Sequence, residues 1–564
     1  MISNLSDAQK DKLRALRRAQ LAQTEDKTED KAAENQAGSK QATCSSEDSA
    51  QAAVTRDVAS EGDASPASYS PAWQFIGDMS YAYNADIGLA YASPVRGVWN
   101  IVHIATLVPG GHQVFVCPTS CLRGVVLTTA EMGRMDKMST ITVGEDNILE
   151  GDMEEMLQHG VERIIRELPE RPRMMMIFTS CIHHFMAVNY KRVYKILARE
   201  YPDIDFVDCY MDPIMRRTNP VVPVLWRQMH RVLRPIKPAE PAKQDESLQS
   251  ATASGKSELE VASQPSKSSV ASESSVASEP PNQAESSGLS CGRNPKQVNL
   301  LANCFPHTAE HCDLVALLVK NGYRVLEANS CKNYDEYLSM GESSCNFFFH
   351  GTGLAAAKDL KIRLQQPYLR LRPGYSYDEY DQDLQKAAEL AGLDGAARAA
   401  MPAERAMQRQ LTEECIEEAL RVLGDTPISI DYTAADCPLE LALFLLRRGF
   451  NVESVMIDNF TEREEIFHAL QAAKPDLRIY ETYGWNIRQM RRGHDGKIVC
   501  IGQKSAYFMD SDYFVNEVEH AGMYGYRGLR RLMNLLMEAC REPKPMKELV
   551  QVKGWECGCC EEIR

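Results

Sequence analysis

The chain has 564 residues, with 63 Lys and Arg against 78 Asp and Glu, a net charge of −15, 44% hydrophobic and 25% charged residues. Such an acidic balance argues against a nucleic-acid partner, whose phosphates it would repel. No apolar run approaches the roughly 18 residues of a membrane span, and the opening MISNLSDAQKDKLRALRRAQ lacks a signal-peptide core, so the expected location is the cytoplasm.

Residues 1–68 contain no Phe, Trp or Tyr. They hold too little apolar area to offset the entropy of ordering and read as a disordered tail. From 69 to 236, β-rich runs at 114–119, 139–145, 174–180 and 204–211 alternate with helical stretches. That alternation predicts a first Rossmann-like domain with a parallel sheet. Residues 237–292 read as a disordered linker: 15 of the 54 residues in 237–290 are Ser, and SSVASE occurs in tandem at 268–273 and 274–279. Its Gly255-Lys256-Ser257 imitates the end of a phosphate-binding loop, but position 250 is Ser where that loop needs Gly. A second unit is expected over 293–400, with strands at 298–304, 323–329, 346–351 and 367–372. A third is expected over 401–545, with strands at 427–432, 452–458, 477–484 and 497–503. Residues 546–564 form a Cys-rich tail. The fold class is α/β: three Rossmann-like domains with mainly parallel sheets, plus a disordered N-terminal tail and a low-complexity inter-domain insertion.

Most of the 17 cysteines are expected to be small buried hydrophobes, because a reducing compartment disfavours disulfides. Spacing marks a few for other work. In parallel sheets ligands sit beyond the C-terminal strand ends. Val116-Cys117-Pro118-Thr119-Ser120-Cys121 ends one strand of the first unit, and Phe178-Thr179-Ser180-Cys181 ends another. Cys117, Cys121 and Cys181 can therefore converge on an iron–sulfur cluster, which needs soft donors; buried structural thiols are the equal alternative. His183 and His184 adjoin Cys181, one as a neighbour of the cluster and the other as an exposed side chain. Cys304-Phe305-Pro306-His307 with His311 and Cys312 has the spacing of a divalent-metal site, against the plainer reading of a helix start. His350 follows a buried strand and is a candidate proton donor, or else a core-edge histidine held by backbone. Cys557, Cys559 and Cys560 near the terminus leave metal binding, thiol exchange and an inert tail open. The ordered part has no phosphate-binding loop, so the chain is expected to bind no nucleotide.

Gly88-Leu89-Ala90-Tyr91-Ala92, Gly97-Val98-Trp99, Ile104 and Pro118-Thr119-Ser120-Cys121 resemble the N-terminal signature of nitrogenase component 1 subunits. Thr142-Val143-Gly144-Glu145-Asp146 resembles that family's Phe-Gly-Gly-Glu turn, and Ser180-Cys181 its later cluster-cysteine turn. The resemblance extends over 70–540 and is sharpest in 86–185. It implies cluster ligands at Cys121 and Cys181. Leu89 stands where the family has its first cluster cysteine, and Cys117, without a family counterpart, is offered as the third ligand. The expected cofactor is then a four-iron four-sulfur cluster near a subunit interface. His350 aligns with the family's cofactor cysteine, and Gly525-Tyr526-Arg527-Gly528 resembles a Gly-Tyr-Asp-Gly landmark. The family's cofactor histidine would fall near Val515, and His520 is out of register with it. Dinitrogen reduction is therefore not expected. The resemblance implies a nitrogenase-like component 1 oxidoreductase fed by an ATP-dependent iron protein and reducing an unsaturated organic substrate. It would form a homodimer or a heterodimer with a related chain. The alternatives are a scaffold for iron–sulfur or metallocofactor assembly, and a small-molecule-binding protein with buried thiols.

Overall fold

The structure is a computed structural model that describes residues 72–81, 95, 99–211, 220–234, 293–458, 463–482, 484, 486–487, 490 and 492–550. The expected N-terminal tail, the linker, Leu89 and the three terminal cysteines lie outside the described residues. Chain order begins with β1 (Trp73–Phe75), followed by β2 (Gly111–Cys117), β3 (Met138–Thr142), β4 (Met174–Thr179) and β5 (Asp205–Tyr210). The second group is β6 (Asn294–Leu301), β7 (Arg324–Leu326), β8 (Ser343–Phe348) and β9 (Tyr368–Arg370). The third is β10 (Ile428–Asp431), β11 (Val452–Ile457), β12 (Arg478–Glu481), β13 (Val499–Ile501) and β14 (Phe514–Val515).

These strands form three sheets, ordered β3-β2-β4-β5, β7-β6-β8-β9 and β1-β12-β11-β10-β13-β14. Every pairing is parallel except that of β1 with β12. The central strands are apolar without alternation because both their faces are covered. Thus all seven residues of β2 and all six of β4 are buried. The covering helices bury one stripe each, as when Met153–Glu167 turns Met153, Leu157, Val161 and Ile165 inward at four-residue intervals. All twelve strands expected from the sequence are present.

Trp73–Phe75, assigned by sequence to the leading unit, instead adds an antiparallel strand to the third sheet. Three residues beside an aromatic-free stretch carry no period that would announce this. The division placed at 400/401 falls inside one long helix, Gly395–Leu423, because the Ala-, Glu- and Arg-rich run either side of it favours continuous helix. The terminal segment from 546 begins as packed chain: Met546 and Val550 are buried against Phe508 and Phe514.

The three sheets share cores. Phe178 of the first unit clusters with Trp226, Phe305, Tyr337 and Phe348. A second cluster joins Phe347 and Phe349 to Ile430, Tyr524 and Tyr526. The C-terminal ends of β8, β10 and β14 are thereby brought to one region, and those of β2 and β4 to another.

Candidate functional site

Two sites follow from these strand ends. At the first, β2 and β4 are parallel neighbours with Val116 opposite Thr179, so the chain turns at the same edge after each. Cys117 is the last residue of β2, and Cys121 lies in the first turn of helix Thr119–Glu131. Cys181 opens the short helix Cys181–Phe185 after β4. Cys117 is buried, whereas Cys121 and Cys181 are partly exposed. The Cys117 thiol is pushed up to about 12, first by burial and then by its proximity to Cys121 and Cys181. The three sequence-predicted thiols therefore share one neighbourhood at the rim of the first sheet. The helices that carry Cys121 and Cys181 also each expose a large apolar side chain, Leu127 at 51% and Phe185 at 67%.

As a donor set, three neighbouring thiols of which one is deeply buried suit a soft iron–sulfur group. Among the described residues, no three His, Cys, Asp or Glu side chains converge as a single metal ion would require. The side chains at 304–312 have other surroundings. His307 there hydrogen-bonds Glu327 through Nδ1 at 3.2 Å and stacks on Phe349, while Cys304 and Cys312 are buried thiols. His183 is buried and pushed down to about 4 by that burial. Its Nδ1 lies 3.3 Å from Ser180 Oγ, so it braces the turn before Cys181, while His184 is exposed.

The second site gathers around His350, which leaves β8. Its Nδ1 lies 2.6 Å from Asp436 Oδ2, in the loop after β10. The other oxygen, Oδ1, is 3.6 Å from His520 Nδ1, in the segment after β14. Both histidines thus share one carboxylate. His520 Nδ1 accepts the backbone N–H of Asp436 at 3.2 Å, which in the neutral ring puts the proton on Nε2, 3.1 Å from the Tyr375 hydroxyl. Glu519 ties the site to the first unit by accepting the Trp99 N–H at 2.9 Å.

Electrostatics make this pair a charged one. Burial would lower the His350 pKa, but the Asp436 carboxylate and, behind it, Glu519 outweigh burial and raise it to about 9, with Arg370 opposing. Burial acts on Asp436 in the other direction and is overcome by His350 and His520, which hold its carboxyl far below the usual range. The side chains keep 19% and 23% exposure, so the pair stands at an opening rather than in sealed core. An adjoining pocket of about 410 Å³ is lined by Tyr375, Ala434, Glu517, His520 and Tyr524.

The segment that delivers His520 is strained. Glu519, His520 and Ala521 have φ of +49°, +58° and +41°, three successive left-handed residues with side chains. Each such residue costs on the order of 1–3 kcal/mol and persists only where its surroundings insist on it. Here Glu519 N–H donates to Thr433 O at 2.7 Å and His520 N–H to Ala434 O at 3.1 Å. Gly522 follows at φ +76°, where a Cβ would lie 2.5 Å from the Pro306 carbonyl. Sequence reasoning singled out His350 but passed over Asp436 and set His520 aside as out of register. The missed signal is positional: each follows a parallel strand of the third sheet, at the edge where ligands gather.

The family model for nitrogenase component 1 type oxidoreductases matches residues 284–541, the second and third units, and leaves the three thiols outside the matched range. No curated protein matches the chain. A solved structure, nitrogenase Cp1 at pH 6.5, is similar at a TM-score of 0.53 and 11% identity, covering 80% of this chain and 94% of its own. Nitrogenase Cp1 at pH 5 gives 0.49 and 10%, over 82% and 91%. The first of these likenesses establishes the fold, and residues 284–541 carry the match to nitrogenase component 1 type oxidoreductases.

Proposed function

We propose that this protein is a nitrogenase-like component 1 oxidoreductase that reduces an unsaturated organic substrate other than dinitrogen. Cys117, Cys121 and Cys181 would hold a four-iron four-sulfur cluster, which when bound supplies one-electron transfer at low potential. The observation that carries the reading is the delivery of three thiols to one rim by two neighbouring parallel strands. Because two of them are partly exposed and their helices also expose Leu127 and Phe185, this rim suits a subunit interface with a second copy or a related chain. The electron donor, by family, is an ATP-dependent iron protein, and the free thiols among the described residues suit a cytoplasmic setting.

The chain's own residues would supply protons. With its pKa raised to about 9, His350 is an imidazolium at neutral pH. Nδ1 is committed to Asp436, so Nε2–H is the donor to a substrate beside β8. Asp436 then balances the charge on His350, and the Tyr375 hydroxyl and the Asp436 N–H hold the His520 ring in place. The alternative role, an assembly scaffold for iron–sulfur or metallocofactor material, is favoured by the exposure of Cys121 and Cys181, which leaves an exchange route.

Anaerobic purification with iron, sulfide and EPR measurement tests the cluster. A brown, EPR-active preparation reoxidised by substrate after reduction with an iron protein and ATP supports the enzyme. Transfer of the cluster to an apo-acceptor without substrate turnover supports the scaffold, and a colourless, iron-free protein overturns both.

A further inference from the structure

Helices Met153–Glu167 and Tyr190–Glu200 lie side by side on one face of the first sheet, burying Leu157, Val161, Val193 and Leu197 in a single core with Val114 and Val116 of β2. Their solvent sides carry opposite charges. Residues 145–155, which lead into the first helix, hold six carboxylates and no Lys or Arg, with Glu145, Asp146, Glu150 and Glu155 exposed. The second helix presents Lys191, Lys195 and Arg199 at four-residue intervals, an exposed cationic stripe. None of these side chains forms an ion pair among the described residues. Within the chain the two halves are joined by Glu154, which accepts the Asn189 N–H at 3.1 Å and pairs with Arg192 at 3.4 Å. Large apolar side chains stand exposed in the same part of the chain, Leu149 at 41%, Phe185 at 67% and Met186 at 37%.

A face with a negative half beside a positive half is complementary to itself. A two-fold axis between the halves lays each one on the opposite half of a second copy, which a face of one sign cannot do. Two chains of net charge −15 repel at a distance, so a contact between copies needs local attraction of this kind. The stretches 145–155 and 185–199 supply about the 20–30 residues a side that a stable interface uses.

We propose that this face pairs with the same face of a second copy, the 145–155 run of each chain lying against Lys191, Lys195 and Arg199 of the other, with Leu149 and Phe185 close to the axis. The partner is thereby a second copy rather than a related chain. The pairing does not rest on the cluster: an iron-free protein would end the oxidoreductase reading and leave this interface to be judged by its own test.

The test is sedimentation velocity of the full chain and of two charge-reversed variants. Wild type should dimerise, and about tenfold more weakly as NaCl rises from about 50 mM to about 500 mM, since salt screens exposed charges. The triple variant Lys191→Glu, Lys195→Glu, Arg199→Glu makes both halves acidic. The triple variant Glu145→Lys, Glu150→Lys, Glu155→Lys tips the face to net positive. Each alone should self-associate about tenfold or more weakly than wild type, with circular dichroism unchanged. An equimolar mixture of the two should recover the dimer, because the acidic face of one meets the basic face of the other, and misfolded variants could not give that recovery. The proposal is overturned if wild type is a monomer, if either variant dimerises as wild type does, or if the mixture stays monomeric.

Discussion

The rim of the first sheet and the meeting point of the second and third solve opposite problems. At the rim, one buried and two partly exposed thiols stand together, and burial pushes the Cys117 thiol up to about 12. At the meeting point a charge pair is complete within the chain: Asp436 has a histidine on each oxygen, and a tyrosine holds the far end of one of them. The first arrangement is the proposed cluster site, which its cofactor would complete. The second is preorganised before any substrate arrives, and the strained Glu519–Ala521 backbone is the local expense of that readiness.

The contrast breaks most visibly at the thiols. Cys121→Ala and Cys181→Ala should each abolish iron content and the brown chromophore while leaving the apoprotein folded; full iron in both variants would remove the rim from the mechanism. Next in size is Asp436→Asn, which strips two histidines of their shared carboxylate. The loss expected is roughly 3 kcal/mol, the low end for breaking a buried pair, read from the denaturant midpoint. The His350 titration followed by NMR should drop well below about 9, since the main opposition to burial is gone and only Glu519 still raises it. An unchanged titration would show that Asp436 does not set the charge.

A smaller effect follows from the same raised pKa. A histidine whose folded value exceeds its unfolded one stabilises fully below about pH 6.5 and loses that contribution as pH rises through about 9. Wild-type stability should therefore decline across that window, and Asp436→Asn should lack this component of the decline. Smallest of all is Phe185→Ser. At 67% exposure, the side chain contributes within about 0.5 kcal/mol to monomer stability. If the rim is an interface, sedimentation should nonetheless show weakened association; unaltered association would move the interface elsewhere.

The sheets were legible in the sequence because strands covered on both faces leave continuous apolar runs, as in Val114–Cys117 and Met174–Phe178. The thiols were legible because strand-end cysteines are rare enough to notice. Asp436 was not, since Thr-Ala-Ala-Asp-Cys-Pro reads as an ordinary approach to a helix, and its partner His520 lies 84 residues away in sequence. His520 was judged by register, yet a left-handed turn of three residues reorients the chain in a way no register count contains.

The antiparallel pairing of Trp73, Gln74 and Phe75 with Tyr480, Ile479 and Arg478 means that the polypeptide visits the last sheet before building the first. The first strand among the described residues acts as a clasp on a sheet completed some 400 residues later. Removing Trp73–Phe75 would remove this clasp. A cut beyond Phe75 would bare the β12 flank, a row of unpaired amides open to any passing strand, and turn a soluble truncation into one that self-associates.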